Sequence, residues 1–256
     1  MKIGAQLYNI RAYAQNEKDF ARSMKRIREA GFSVVQISGC GPIAPEKLRE
    51  ICDNEGLTVA LTHTNPDRIL NDTENVIREH EILGCKYVGI GGMPERYRSA
   101  EWIDCFKEDF TEPAKKLRDH GMLLMYHNHN FEFGRLHDGR RMIDVLVETM
   151  PASLMGFTLD TYWVQAGGAD VCDWLIGLSD RIPCVHFKDM TVNGFEQRFA
   201  PIGEGNLNFV KIVSTLEKLG STEYALIEQD NCYGDDPFDC LRRSCEYLKS
   251  LGCKTE

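Results

Sequence analysis

Short apolar runs rich in β-branched residues alternate along this chain with longer segments whose apolar positions recur at helical spacing. The predicted strands cover residues 2–8, 33–38, 58–63, 87–91, 122–127, 156–160, 183–187 and 224–228. The predicted helices cover residues 17–30, 44–54, 71–83, 100–120, 142–149, 171–178, 209–219 and 237–251. Strands and helices that alternate in this way form a parallel sheet with helical crossovers.

Eight strand–helix units in 256 residues match the usual size of a (β/α)8 TIM barrel. Glycines at positions 31, 84, 121 and 220 end four of the helices. The chain has no linker-like stretch, so we expect residues 1–256 to form one barrel domain. An open doubly wound sheet is the alternative, but no GxGxxG motif follows the first strand, which disfavours a dinucleotide-binding fold.

Composition and charge exclude several classes of partner. The net charge of −9 disfavours nonspecific binding to nucleic acid. We find no signal peptide and no apolar run long enough to cross a membrane, and so expect a cytoplasmic protein. The ten cysteines form no CxxC pair, which favours reduced thiols over disulfides or structural zinc. A homodimer formed through exposed barrel helices stays open.

Polar groups crowd the end of the fifth predicted strand, where residues 126–133 read Tyr-His-Asn-His-Asn-Phe-Glu-Phe. Buried polar groups cost free energy unless they have partners, so hydrophobic packing does not account for them. Three later strands also end in titratable side chains, namely Asp160, His186 and Glu228. In a TIM barrel, the carboxyl ends of the strands converge on one site.

Imidazoles and carboxylates without sulfur suit one divalent ion, which here would be Mn²⁺, Zn²⁺, Co²⁺ or Mg²⁺. Such an ion would bind adjacent oxygens of a sugar and stabilise an enediolate, while a neighbouring carboxylate moves the proton. Further polar residues at or just beyond strand ends are candidates for contact with the substrate or for proton transfer: Gln6, Arg11, His63, His129, Glu132, Trp163 and Lys188.

Each of these residues also has a purely structural interpretation. His186 alone is compatible with a hydrogen-bonded core histidine, and Asp160 alone with a helix cap. Lys188 is as well explained by a salt bridge to Asp189 or Glu228 as by catalysis. His63 is explained equally by packing, and Trp163 either covers the pocket or stacks on a sugar. Their joint occurrence at strand ends favours a site. We expect the remaining histidines to be surface residues: His80, His120 and His137.

At these residues the chain resembles the xylose isomerase-like TIM barrels, the sugar phosphate isomerase/epimerase superfamily. The motifs that carry the resemblance span most of the chain: residues 126–133, 159–163 (Leu-Asp-Thr-Tyr-Trp), 185–189 (Val-His-Phe-Lys-Asp), 203–205 (Gly-Glu-Gly) and 227–228 (Ile-Glu). The resemblance is specific to the superfamily and not to one substrate. It implies one divalent ion that is held by Glu, Asp, His and Glu from strands five to eight.

Asp160, His186 and Glu228 match the last three of these implied ligands. The first differs, because His127 stands where many members carry Glu. His127 then takes that ligand position, or Glu132 reaches back to supply the carboxylate; we favour His127. Gln36 likewise replaces an acidic residue that is common at the end of strand two.

The first hypothesis is a metal-dependent isomerase or epimerase of a sugar or keto-sugar. Glu132 and Glu228 would move protons, while His129 and Lys188 would assist. The second is a metal-dependent lyase or dehydratase acting on an inosose-like keto-polyol or a 3-keto-glycoside, with Lys188 or His129 as the acid. The third is a sugar-binding subunit without activity. A DNA-repair endonuclease of the same superfamily would need three metals and a basic surface, which disfavours it here.

Overall fold

Eight parallel strands close into a barrel in the computed structural model, which describes residues 1–255. The barrel strands are β1 (Lys2–Gln6), β2 (Val34–Ile37), β3 (Thr58–His63), β4 (Tyr87–Ile90), β5 (Leu123–His127), β6 (Met155–Asp160), β7 (Cys184–Phe187) and β10 (Tyr224–Ile227). Each barrel strand pairs with its neighbours in sequence, and β10 pairs with β1 to close the ring. The predicted single-domain (β/α)8 barrel is therefore confirmed.

Ten α-helices surround the barrel, and their apolar faces pack on the outer side of the strands. They are α1 (Glu17–Glu29), α2 (Pro45–Asn54), α3 (Pro66–Asn71), α4 (Thr73–Leu83), α5 (Ile103–Asp119), α6 (Met142–Thr149), α7 (Thr161–Ala166), α8 (Val171–Gly177), α9 (Phe209–Leu219) and α10 (Pro237–Ser250). Gly84 and Gly220 end α4 and α9 in the left-handed conformation, which glycine adopts without a steric penalty. No helix of the described residues is long and apolar enough to span a membrane.

Some predicted boundaries are wrong, for local reasons. The first strand ends at Gln6 and not at position 8, because a 3₁₀ helix (Leu7–Tyr13) begins there. Helix α3 precedes the third predicted helix (residues 71–83), which begins after a break at Asp72 and forms α4. The short helix α7 follows β6 directly, because the Asp160 side chain accepts a hydrogen bond from the Trp163 amide and so caps it.

A β-hairpin between β7 and α9 was not predicted. Its strands β8 (Asp189–Asn193) and β9 (Glu196–Ala200) pair in antiparallel fashion outside the barrel. The two residues between them are Gly194, at φ +60°, and Phe195, and glycine at the first of two loop positions is typical of a type II′ hairpin turn. Phe195, at the tip, is fully exposed.

His80 is the one histidine whose predicted surface position is wrong. It is buried in α4, where Nε2 contacts the Thr62 hydroxyl at 2.8 Å and Nδ1 contacts the Val76 carbonyl at 2.7 Å. Burial lowers the pKa of His80, so that it stays neutral. It is a core histidine that links a helix to a strand, whereas His120 and His137 are exposed as expected.

Candidate metal centre

Four titratable side chains from consecutive barrel strands converge at the carboxyl end of the barrel. His127 and Asp160 are the last residues of β5 and β6, His186 lies in β7, and Glu228 directly follows β10. One ligand atom from each of the four lies within 4.8 Å of the others. All four are buried, with exposed fractions of 3% or less, so that bulk water does not satisfy their polar atoms.

His186 and Glu228 approach each other without forming a hydrogen bond. His186 Nδ1 lies 2.9 Å from Glu228 Oε2, yet both atoms lack an aligned hydrogen-bond partner in the described residues. On the other side of the ring, His186 Nε2 lies 2.7 Å from the Gln36 side-chain oxygen, which only accepts. Nε2 therefore carries the proton, and the Nδ1 lone pair faces a carboxylate oxygen. Such a contact is repulsive unless a cation lies beside both atoms.

His127 also directs a ring-nitrogen lone pair toward the place where His186 Nδ1 and Glu228 Oε2 meet. Its Nδ1 lies 3.1 Å from the Gly91 carbonyl oxygen, so Nδ1 is the donor. In the neutral tautomer, Nε2 then directs its lone pair toward Asp160 Oδ2 at 3.3 Å and Glu228 Oε2 at 3.9 Å. Burial opposes protonation of this imidazole, but the hydrogen bond to Asp160 and the charge of Glu228 outweigh burial and raise the pKa of His127. The carboxylates thus favour a positive charge here.

The two carboxylates are each anchored through one oxygen, while the other oxygen faces the cluster. Asp160 Oδ1 accepts from the Trp163 amide at 2.9 Å, and Glu228 Oε1 accepts from the Gln6 side-chain amide at 3.1 Å. Burial alone would raise the pKa of Glu228, but Lys188 and His186 hold it well below its usual range. Glu228 is therefore ionised at neutral pH.

The donor set fits one divalent ion. Two imidazole nitrogens and two carboxylate oxygens meet with their free lone pairs directed inward, and the outer atom of each imidazole is fixed by a partner. His127, Asp160, His186 and Glu228 are the residues that would hold it. Their role as ligands stays a prediction, as do all the site roles assigned from the sequence.

Glu132 lies outside this group of four. Its Oε1 accepts from the Tyr126 hydroxyl at 2.6 Å and its Oε2 accepts from the His129 amide at 2.9 Å. It is fully buried, and burial raises its pKa. Both oxygens are thus engaged in holding the segment that follows β5. The geometry favours His127 over Glu132 as the first ligand.

Lys188 brings a buried positive charge next to the cluster. Its Nζ lies 2.7 Å from Asp230 Oδ2, 3.4 Å from Glu228 Oε2 and 3.8 Å from Asp160 Oδ2. Burial disfavours the ammonium, yet Glu228 and the two other carboxylates more than compensate and raise the pKa of Lys188. Lys188 is therefore protonated at neutral pH and can stabilise negative charge on a bound ligand.

A cavity of about 280 Å³ opens directly above these groups. Two of the four cluster members, His127 and Glu228, line it, together with His63, His129, Arg11 and Lys188. His63 Nε2, His129 Nδ1 and Trp163 Nε1 are buried and have no hydrogen-bond partner in the described residues. Burial lowers the pKa of His63 well below its usual value, and that of His129 to about 3. The neutral nitrogens of His63 and His129, which line the cavity, are available to ligand hydroxyl groups.

Gln6 and Trp163 do not line this cavity. Gln6 is fully buried and contacts Glu228 instead, whereas Trp163 stacks beside His129, with the ring centroids 5.2 Å apart. Sequence reasoning gave no role to Ser38, whose hydroxyl contacts His63 Nδ1 at 3.1 Å, or to Asp230, the partner of Lys188. Both residues also lie at or just beyond strand ends, and this position in the sequence could have been used to predict them as site residues.

Replacing Gln36 by Met should weaken Mn²⁺ or Zn²⁺ binding by about 10–100-fold, the usual effect of removing an outer-shell partner of a ligating histidine. The Gln36 oxygen fixes the His186 proton on Nε2, and Met would leave that proton without an acceptor. Competition with a fluorescent chelator measures the affinity. Gln165→Met, at an exposed position on α7, is the control. Unchanged affinity in Gln36→Met would contradict this account of the tautomer.

Comparison with known proteins agrees with this architecture. A family model described as "Xylose isomerase-like TIM barrel" matches residues 24–251. No curated protein sequence matches significantly. A sugar phosphate isomerase/epimerase structure from Parabacteroides distasonis ATCC 8503 has a TM-score of 0.80 at 21% identity, covering 97% of this chain and 93% of that one.

Two further solved structures are similar in fold. One is described as L-ribulose 3-epimerase, with a TM-score of 0.76, 15% identity and coverage of 98% of this chain and 94% of that chain. The other is a xylose isomerase-like TIM barrel protein from Mycobacterium smegmatis in complex with magnesium, with a TM-score of 0.74, 16% identity and coverage of 98% and 96%. The match of the family model over most of the length establishes that this chain belongs to the xylose isomerase-like TIM barrel family.

Proposed function

We propose that this protein is a divalent-metal-dependent isomerase or epimerase of a sugar or keto-sugar. The observation that carries the proposal is the set of inward lone pairs of His127, Asp160, His186 and Glu228 beneath a cavity lined by neutral imidazoles. When bound, a divalent ion supplies a Lewis acid for a carbonyl or hydroxyl oxygen. Two imidazole ligands favour Mn²⁺, Co²⁺ or Zn²⁺ over Mg²⁺.

The chain's own groups support proton transfer at a carbon next to a carbonyl. Glu228 is ionised and lines the cavity, so it is the candidate that takes and returns the proton. The Lys188 ammonium, 3.4 Å from Glu228, would stabilise the negative charge that develops on the substrate oxygen. His63 and His129 would position hydroxyl groups. Glu132 is not favoured as a second base, since it does not line the cavity and holds the segment after β5 instead.

A lyase or dehydratase is the second candidate, and the position of Lys188 favours it. Elimination needs a base and a proton donor on one substrate, and Glu228 and Lys188 lie side by side over the cavity. The same two residues would remove the proton and protonate the leaving oxygen. The two reactions differ in products, since only the elimination releases water or an alcohol.

The test is solvent deuterium exchange with a panel of ketoses, aldoses and keto-polyols. Protein loaded with Mn²⁺ is incubated with each compound in D₂O, and proton NMR follows the carbon-bound hydrogen next to the carbonyl. Chelator-treated protein is the control. We expect metal-dependent exchange with at least one compound. The product should show either a shifted carbonyl or an inverted carbon, as in an isomerase or epimerase, or the loss of a group, as in a lyase. Stoichiometric metal without exchange on any compound would instead favour a sugar-binding subunit.

A further inference from the structure

A second cavity of about 370 Å³ adjoins the central one, and Arg11 and Asp230 line both. The walls of this second cavity, which we call the side groove, come from the 3₁₀ helix after β1 and from residues 230–235 after β10. A ligand in the central cavity can extend into the side groove past Arg11.

Arg11 carries a charge that no carboxylate neutralises. Among residues 1–255 it forms no ion pair, and its hydrogen bonds run to two backbone carbonyl oxygens. Nη1 donates to the Tyr8 carbonyl at 2.8 Å and Nη2 donates to the Asp230 carbonyl at 3.1 Å. The other charged groups around both cavities are paired: Lys188 with Asp230 at 2.7 Å, and Asp235 with Arg243 at 2.9 Å. Arg11 is thus the cation available to a ligand.

The Arg11 guanidinium is also held in place. It lies over the Tyr8 ring, with Cζ 4.1 Å from the ring centroid, and the two carbonyl contacts fix its plane. Arginine has five N–H donors, so the two carbonyls leave others free. A fixed, planar donor of this kind matches the oxygens of a carboxylate or phosphate group.

The far wall of the side groove is built from a strained residue. Tyr233 is the one non-glycine residue of the described chain with positive φ, at +52°. Its amide donates to the Asn231 side-chain oxygen at 2.8 Å, and its hydroxyl accepts from the Phe199 amide at 3.2 Å. Strain of this kind persists only where surrounding contacts enforce it, and it concentrates at ligand sites. The half-exposed Tyr233 ring therefore lines the groove in a position that is fixed before a ligand binds.

We propose that the side groove is a second subsite, which binds an anionic group attached to the sugar. Arg11 would bind the carboxylate or phosphate, and Tyr233 would form the wall against which the linking atoms pack. This inference rests on the proposed function, since it assigns a sugar to the central cavity. It makes the substrate a sugar acid or a sugar phosphate and not a neutral sugar.

Calorimetric titration of the full chain loaded with Mn²⁺ tests the subsite with two matched pairs of probes, ribose 5-phosphate against ribose and galacturonate against galactose. We expect an anionic member to bind about 10–100-fold more tightly than its neutral partner, the effect of a charge-assisted hydrogen bond. Arg11→Met should weaken binding of the anionic member much more than binding of its neutral partner and so remove this preference, and Arg11→Lys should restore part of it. Arg118→Met, an exposed position on α5, should keep the preference.

The pair that shows the preference identifies the anion as phosphate or carboxylate. Equal binding within both pairs, or no binding at all, overturns the subsite. So does a preference that persists in Arg11→Met, because the anion is then held by the metal ion alone. The subsite and the proposed function fail separately. If the protein prefers the anionic probes but shows no metal-dependent exchange, the subsite is retained and the isomerase proposal fails. If it catalyses exchange on neutral sugars but has no preference for anionic probes, the isomerase proposal is retained and the subsite fails.

Discussion

Asp160→Asn and Glu228→Gln should each lose the divalent ion that wild type retains at about one per chain. Each change removes a buried negative charge and places an amide among atoms whose lone pairs face one point. The expected loss of affinity exceeds 100-fold, beyond the roughly 10–100-fold that follows removal of an outer-shell partner. The remaining imidazoles would still face the point where the ion binds, but with one carboxylate instead of two.

Elemental mass spectrometry on dialysed protein measures this metal content. His127→Phe and Glu132→Gln extend the series and decide the first ligand. We expect loss in His127→Phe and retention in Glu132→Gln, because the Glu132 oxygens are engaged by Tyr126 and His129. Circular dichroism confirms that each variant is folded. A Glu228→Gln protein that still holds one tightly bound ion would disprove the proposed centre.

Asp189→Asn should lower the free energy of unfolding by roughly 3–6 kcal/mol, the loss of two hydrogen bonds to a charged acceptor. The buried carboxylate accepts four backbone amides at 2.8–3.1 Å: those of Met190, Gly203, Gly205 and Leu207. It thereby fixes the loop between β9 and α9 to the end of β7. Asparagine accepts through one oxygen only, so its amide group would face two of these donors.

Thermal denaturation tests this effect, which corresponds to a fall in Tm of about 6–24 °C for a chain of this length. Asp53→Asn is the matched control. Its carboxylate is half exposed and pairs with Arg49 at 2.7 Å, an exposed salt bridge worth about 0–1 kcal/mol. If both variants melt within a degree of wild type, the Asp189 contacts do not hold the loop.

The helices and strands of the barrel were predictable because their signals lie in residues that are adjacent in the sequence. Each barrel strand is buried on both faces and reads as a short apolar run, and glycines with positive φ end the helices at positions 84 and 220. The elements that were missed lack such a signature. Helix α7 has six residues and depends on Asp160 as its cap, and the β8–β9 hairpin is too polar to show a buried face. Only Gly194, the first residue of its turn, indicated it.

Histidines show the limit of reasoning from position. His80 lies on an amphipathic helix and was expected at the surface, but its side chain enters the core because the Thr62 hydroxyl and a carbonyl satisfy both ring nitrogens. His127 and His186 were expected near one another, yet which nitrogen faces the centre depends on Gly91 and Gln36. Gly91 and Gln36 are distant from these histidines in the sequence, so the local pattern of residues does not predict the contacts between them.

By itself, the sequence determined the parallel (β/α)8 architecture and the set of polar side chains at strand ends, because alternation and strand termini are properties of contiguous residues. Tertiary structure alone decided which of those side chains meet. Barrel closure brings Gln6 to Glu228 across 222 positions and Gln36 to His186 across 150, while Glu132 is engaged by its own neighbours. The tertiary structure also places Arg11 where no carboxylate of the described residues pairs with it. Distances and lone-pair directions arise from the packing of separate strands, and so they follow from the closed barrel and not from the order of residues.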